Sequence, residues 1–170
     1  EILLRRMVYQ FPAVLVTGAR QAGKTSILRH LYPQASYLSL DLPANAEAAH
    51  TAPEQLLAQY PEPVIIDEIQ YAPALLRYLK HRIDEDRSPG RYLLTGSQVF
   101  SLMQGVSESL AGRCVVLNLH TLSRAELLDA GRPIEETSYI FLGGYPELHV
   151  GTEASLWFPA YVATYLERDV

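Results

Sequence analysis

Residues 18–25 read GARQAGKT, and they sit between the apolar run Ala13 to Val16 and a helical stretch from Ser26 to Leu31. A strand, a glycine-bearing turn and a helix start in that order build an anion cradle. Gly18 and Gly23 permit backbone angles and close approach that a side chain would block, so successive N–H groups turn inward around a phosphate. Lys24 brings a compact charge to the β- and γ-phosphates, Thr25 offers a hydroxyl to Mg²⁺, and the helix that begins here points its positive dipole end at the same anion. The cradle is expected to run through Gly18, Ala19, Arg20, Gln21, Ala22, Gly23, Lys24, Thr25 and Ser26, with Arg20 reaching either phosphate or a neighbouring surface.

A second motif lies further along. Pro63 precedes Val64, Ile65 and Ile66, a β-branched run suited to a strand covered on both faces, and Asp67 and Glu68 follow at its carboxyl end. Open α/β sheets place ligands at that end. Adjacent carboxylates repel unless a cation or a proton acceptor's role separates them, so Asp67 is expected to order the Mg²⁺ shell while Glu68 faces the attacking water. The competing interpretation is a solvated strand end with two exposed acids.

The remaining elements follow from pattern. A short helix is expected over 2–11, strands over 36–40, 91–95 and 114–119, and a helix from Leu75, Leu76, Leu79 and Ile83 at helical spacing. Thr51 and Glu54 have the spacing of a capping box for a helix through Tyr60. Leu156 to Asp169 reads as an amphipathic helix, and Gly143 to Glu147 as a tight turn between helices. Strands alternating with helices predict an α/β fold: a P-loop three-layer sandwich around a five-stranded parallel sheet with right-handed crossovers.

Composition narrows the function classes. The 170 residues give one ordinary domain with a substantial core, and 48% hydrophobic against 19% charged residues argues for a globule. A net charge of −5 and only two lysines, Lys24 and Lys80, supply no broad basic footprint for nucleic acid. The single Cys114 lies in an apolar run and reads as a small core residue, which leaves no disulfide framework. The five histidines show no metal-ligand spacing. No apolar stretch approaches the roughly 20 residues that cross a bilayer, so a cytoplasmic protein with no membrane partner is expected. The start at Glu1 and the stop after a helix suggest a fragment of a longer chain.

Two further positions carry alternatives. Ser97, after the strand ending in Thr95, reads equally as a sensor of the γ-phosphate and as the N-cap of a helix over 99–103. Thr95 is a second candidate sensor. Arg113, following Gly112, is on position alone either a solvated arginine or a cation that swings toward nucleotide or partner.

Taken together, GARQAGKTSILRHL, VIIDEIQYAPALLRYLK, YLLTGSQ, SLAGR, GGYPELH and YLERDV resemble the prokaryotic AAA-type P-loop ATPase domain family, in which the core is followed by a C-terminal domain of uncharacterised function. The likeness spans nearly the whole chain. It implies an ATPase core over 1–138 and a helical passage over 139–170 leading toward a C-terminal domain outside this sequence. It also implies a Walker A loop on Gly18, Gly23, Lys24 and Thr25, a Walker B pair on Asp67 and Glu68, and a functional Arg113. Expected ligands are ATP and Mg²⁺, with Lys24, Glu68 and Arg113 as catalytic residues and Thr25 and Asp67 at the metal. Expected partners are adenine nucleotide, the chain's own C-terminal domain and, as an option, further copies of the chain. GTP is disfavoured because neither lysine follows an asparagine. A phosphotransfer kinase is disfavoured by the acidic pair. A nucleotide-gated switch that binds ATP with little turnover, and recruits a partner or DNA, is the alternative to an ATPase.

Overall fold

The computed structural model describes residues 1–96 and 100–166. Its contacts divide the chain into two compact units, one of Glu1–Ala19 with Lys24–Leu119 and one of Arg20–Gly23 with His120–Val170. This division comes ahead of the boundary at 138/139 expected from the resemblance.

In the first unit, α1 (Ile2–Val8) leads into β1 (Ala13–Thr17), α2 (Lys24–Leu31) and β2 (Ser36–Ser39). Helices α3 (Pro43–Thr51) and α4 (Pro53–Ala58) precede β3 (Val64–Asp67), α5 (Leu75–Glu85), β4 (Tyr92–Thr95), α6 (Phe100–Leu110) and β5 (Cys114–Asn118). The five strands are all parallel, in the order β2-β3-β4-β1-β5. The centre of the sheet is therefore β4, and the loop-bearing β1 lies between β4 and β5.

Apolar runs rather than alternating patterns make these strands because both faces are covered. Ala13, Leu15, Leu38, Ile66 and Leu94 point to one face and pack with Leu56, Leu75, Leu76, Leu79 and Ile83 from the helices between β2 and β4. Val14, Val16, Ile65 and Leu93 point to the other and pack with Leu4, Val8, Leu28 and Leu31 of α1 and α2. The period of two along each strand thus yields two cores, and the three-layer sandwich follows from them. Cys114 is partly buried against the first core, where burial pushes its thiol up to about 12.

The expected capping box at Thr51 does not form. Thr51 is the last residue of α3, and its hydroxyl donates back to the Glu47 carbonyl at 2.9 Å. Pro53 opens α4 behind Ala52, which gives no side-chain cap. The helix from Pro43 had no strong apolar period to reveal it, and it absorbed the threonine. A capping box forms elsewhere, in the second unit: Glu126 N–H donates to Ser123 Oγ at 3.2 Å and Ser123 N–H to Glu126 Oε2 at 2.8 Å.

That second unit contains α7 (Arg124–Asp129), α8 (Glu136–Leu142), a 3₁₀ turn (Pro146–His149), and α9 (Ala154–Tyr161) continuing as a π-helical turn (Val162–Leu166). Its interior is aromatic. Trp157 stacks on Tyr161 with ring centroids 4.7 Å apart, and Tyr145 lies 4.7 Å from Trp157 and 5.1 Å from Tyr161. The Tyr161 hydroxyl reaches the Arg20 carbonyl at 3.4 Å.

Two substitutions test the packing. Leu94→Ala, at a fully buried position of the central strand, is expected to lower stability by about 2–5 kcal/mol, read as a shift of the urea midpoint. Gly18→Ala would place a Cβ 2.2 Å from the Leu119 carbonyl oxygen at a φ of +139°. Neither the backbone nor the conformation can yield cheaply, so a loss of at least ~2 kcal/mol is expected, whereas a thermal midpoint equal to wild type would mean that the β1 and β5 ends separate easily.

Candidate nucleotide site

The loop begins where β1 ends, at the carboxyl edge of the sheet. Its middle is held open by backbone angles outside the common region: Gln21 has φ 60° and Gly23 φ 93°. A Cβ at Gly23 would meet nothing within 4 Å, so glycine is there for its backbone conformation. Lys24 is only 5% exposed, and its ammonium donates to the carbonyls of Gly18 at 3.1 Å and Ala19 at 2.9 Å. The cation thus lies folded over the start of its own loop, where a phosphate would attract it.

The acidic pair takes shape at the end of β3. Asp67 is 7% exposed, and an ionised carboxylate at that depth requires donors. Three hydroxyls from three different elements supply them. Thr25 on α2 and Thr95 on β4 both donate to Oδ1 at 2.6 Å, and Tyr37 on β2 donates to Oδ2 at 2.8 Å. The register explains the convergence. Ile66 pairs with Leu94 across β3 and β4, so Asp67 and Thr95, each one residue on, come level on the face that α2 covers. Thr95 closes a second link by accepting the Glu68 N–H at 3.0 Å. It is buried within this brace, so its hydroxyl serves Asp67 and Glu68.

Glu68 leaves the strand in the left-handed region, with φ 58° and ψ 52°, as the residue before a 3₁₀ turn (Ile69–Tyr71). A non-glycine residue there carries a backbone cost of about 1–2 kcal/mol. The Thr95 hydroxyl, which accepts the Glu68 N–H, and the turn that follows offset it. The Gln70 amide donates to Glu68 Oε2.

Arg113 does not join this group. Alignment of Ala13 with Cys114 puts it just ahead of β5, at the amino edge of the sheet, about 16 Å of strand away from the loop edge. There its guanidinium donates to both oxygens of Asp84, at 2.6 and 2.9 Å, and to the Ala111 carbonyl at 3.0 Å. This fork holds the Asp84 carboxyl below its usual range. Arrival at a strand's start, and not at its end, thus places Arg113 at the edge opposite the loop, where Asp84 holds it. Ser97 lies outside the described residues. Tyr37 and Gln70 went unseen in the sequence, since no motif marks them and only the neighbouring places of β2 and β3, with the turn after Glu68, bring them to the carboxylates.

The paired hydroxyl of Thr25 and Oδ1 of Asp67 form an all-oxygen donor set of the kind hard divalent cations take, so the residues fit Mg²⁺. Among the described residues no group of three or more His, Cys, Asp and Glu could hold a metal ion. No described helix is long and apolar enough to cross a membrane.

Comparison with known proteins agrees with this geometry. A family model described as an AAA domain matches residues 10–128. Uncharacterized proteins of Mycobacterium tuberculosis and Mycobacterium bovis are each 33% identical over 171 residues, covering 98% of this chain; the chain spans only 38% of their length. Among solved structures, a Walker-type ATPase of Pyrococcus abyssi superposes with a TM-score of 0.55 at 17% identity, over 86% of this chain and 63% of that one. A Signal Transduction ATPase with Numerous Domains protein carrying a tetratricopeptide repeat sensor, from Pyrococcus horikoshii, gives 0.53 at 13% identity, over 96% and 32%. At such identities the likeness is one of fold, that of P-loop NTPases. With the loop, the parallel sheet and the matched model in agreement, the chain belongs to the AAA-type P-loop ATPase domain family.

Proposed function

We propose that this domain binds Mg·ATP and hydrolyses its β-γ phosphoanhydride, and that the cycle drives a C-terminal effector domain beyond residue 170. The observation that carries the reading is the 2.6 Å contact between the Thr25 hydroxyl and Asp67, at the mouth of a loop whose lysine is already poised over its carbonyls. A hydroxyl and a carboxylate held this close, beside an anion cradle, have the chemistry of a metal-phosphate site.

Gly18 to Ser26 would wrap the phosphates with backbone N–H groups. Lys24 would exchange its carbonyl partners for phosphate oxygens and stabilise charge on the transferring phosphoryl group. Mg²⁺, held by Thr25 and through Asp67, would neutralise charge shared between the β- and γ-oxygens. Glu68 polarises water for in-line attack and takes its proton. The left-handed turn at Glu68 suits that role, because it directs one acid off the strand while its neighbour stays buried with the hydroxyls. Adenine as the base rests on the family resemblance. So does the coupling to a second domain, which the greater length of the mycobacterial relatives supports.

The switch reading has one observation in its favour. Gln70 engages the Glu68 carboxylate directly, and a base held by an amide activates water poorly until the contact opens. Turnover of the full-length protein separates the two readings: sustained phosphate release favours the ATPase, and tight binding with almost none favours the switch.

Lys24→Ala is expected to weaken ATP binding by about 2–5 kcal/mol in a protein whose circular dichroism matches wild type, and calorimetry showing unchanged affinity would refute the loop assignment. Glu68→Gln retains shape but cannot accept a proton. It should bind Mg·ATP normally and release phosphate at least ~100-fold more slowly; normal turnover would remove Glu68 as the base.

A further inference from the structure

We infer that Tyr37 is a positioning residue for Asp67, and that by occupying Oδ2 it sets the preference of the site for Mg²⁺ over Ca²⁺. The inference rests on the nucleotide reading above.

Four side chains form a closed square on the face of the sheet that α2 covers. Thr25 and Arg29 stand one turn apart on α2, so they present themselves to the sheet one above the other. Tyr37 pairs with Ile65 across the β2–β3 ladder, which puts it diagonal to Asp67 on the same face. Thr25 meets Asp67, and the Arg29 guanidinium lies 4.9 Å from the centre of the Tyr37 ring. The helix repeat thus matches the diagonal of the sheet. Arg29 holds the ring, and the ring delivers its hydroxyl to Oδ2 at 2.8 Å.

This arrangement divides the carboxylate. Oδ1 accepts the Thr25 and Thr95 hydroxyls and faces the loop, while Oδ2 is committed to a phenol on the edge strand. When the Thr25 hydroxyl turns to the metal, Oδ1 is the one oxygen the group can offer, directly or through water, because the phenol keeps Oδ2. Mg²⁺ accepts such a ligand, since it keeps a compact octahedral shell and several waters, whereas Ca²⁺ takes longer contacts and uses bidentate carboxylates. Removing the phenolic hydroxyl would free Oδ2, loosen the carboxylate plane and open the bidentate mode. The ring itself is 37% exposed, and the strand is anchored by the buried Leu38, so the fold does not hang on the hydroxyl.

The experiment titrates Mg²⁺ and Ca²⁺ against binding of a fluorescent methylanthraniloyl-ATP, in metal-free buffer, with full-length wild type, Tyr37→Phe and Arg29→Met. Tyr37→Phe keeps the ring under Arg29 and loses only the hydroxyl. It should bind the nucleotide without metal as wild type does, require about tenfold more Mg²⁺ for half-maximal enhancement, and lose most of its discrimination against Ca²⁺. Arg29→Met keeps the hydroxyl but releases the ring, and should shift the Mg²⁺ midpoint in the same direction by a smaller factor. Thermal midpoints near wild type for both variants would support an effect at the carboxylate. Equal Mg²⁺ midpoints and equal Mg²⁺ to Ca²⁺ ratios in wild type and Tyr37→Phe would overturn the role of Tyr37 and leave the nucleotide reading standing. Failure of wild type to bind the nucleotide with Mg²⁺ would overturn both.

Discussion

A carboxylate buried to within 7% of full occlusion organises this domain. An unpaired charge at the depth of Asp67 would be prohibitive, and the structure meets the cost with hydroxyls from Thr25, Thr95 and Tyr37. Each donor belongs to a different element, so satisfying one side chain ties α2, β4 and β2 to the end of β3. Charge burial and tertiary order are here one constraint. In the proposed reading, the Thr25 hydroxyl and the Asp67 carboxylate of this brace would also hold the phosphate-bound cation.

The loop imposes the second constraint. At Gly18 the chain passes close enough to Leu119 for any Cβ to collide with a carbonyl oxygen, while Leu119 N–H donates to the Thr17 carbonyl at 2.8 Å. Contact between β1 and the residues after β5 therefore sets where the loop begins. Lys24 answers from the other end by donating to Gly18 and Ala19. The cradle is closed on itself by main-chain geometry and one ammonium.

Two positions depend on more than local spacing. The functional role expected of Arg113 rested on the family resemblance, and in the fold a residue entering a parallel strand and one leaving it stand at opposite edges, with Asp84 at the entry edge. Thr51 and Glu54 had a capping box's spacing, yet whether a threonine caps a helix or ends one depends on what precedes it. The preceding residues formed α3, which left its hydroxyl bonded backward to Glu47. Ser123 and Glu126 have the same spacing and do form the box, because no helix runs into Ser123.

Sequence alone determined the parallel α/β sandwich and the phosphate-binding loop. Continuous apolar runs ending in Thr17 and Asp67, glycines at 18 and 23, and a lysine and threonine at 24 and 25 act through nearest neighbours along the chain, where periodicity and backbone freedom are legible. The order β2-β3-β4-β1-β5, the hydroxyls of Tyr37 and Thr95 on Asp67, the contact of Gln70 with Glu68 and the capture of Arg113 by Asp84 were decided by tertiary structure. Of these, only Gln70 is a near neighbour of its partner, and its contact waits on the left-handed turn at Glu68. The others join residues between 28 and 30 positions apart, and which of many hydroxyls or carboxylates becomes a partner depends on strand order and on the edge of the sheet a side chain leaves from, which no local pattern encodes.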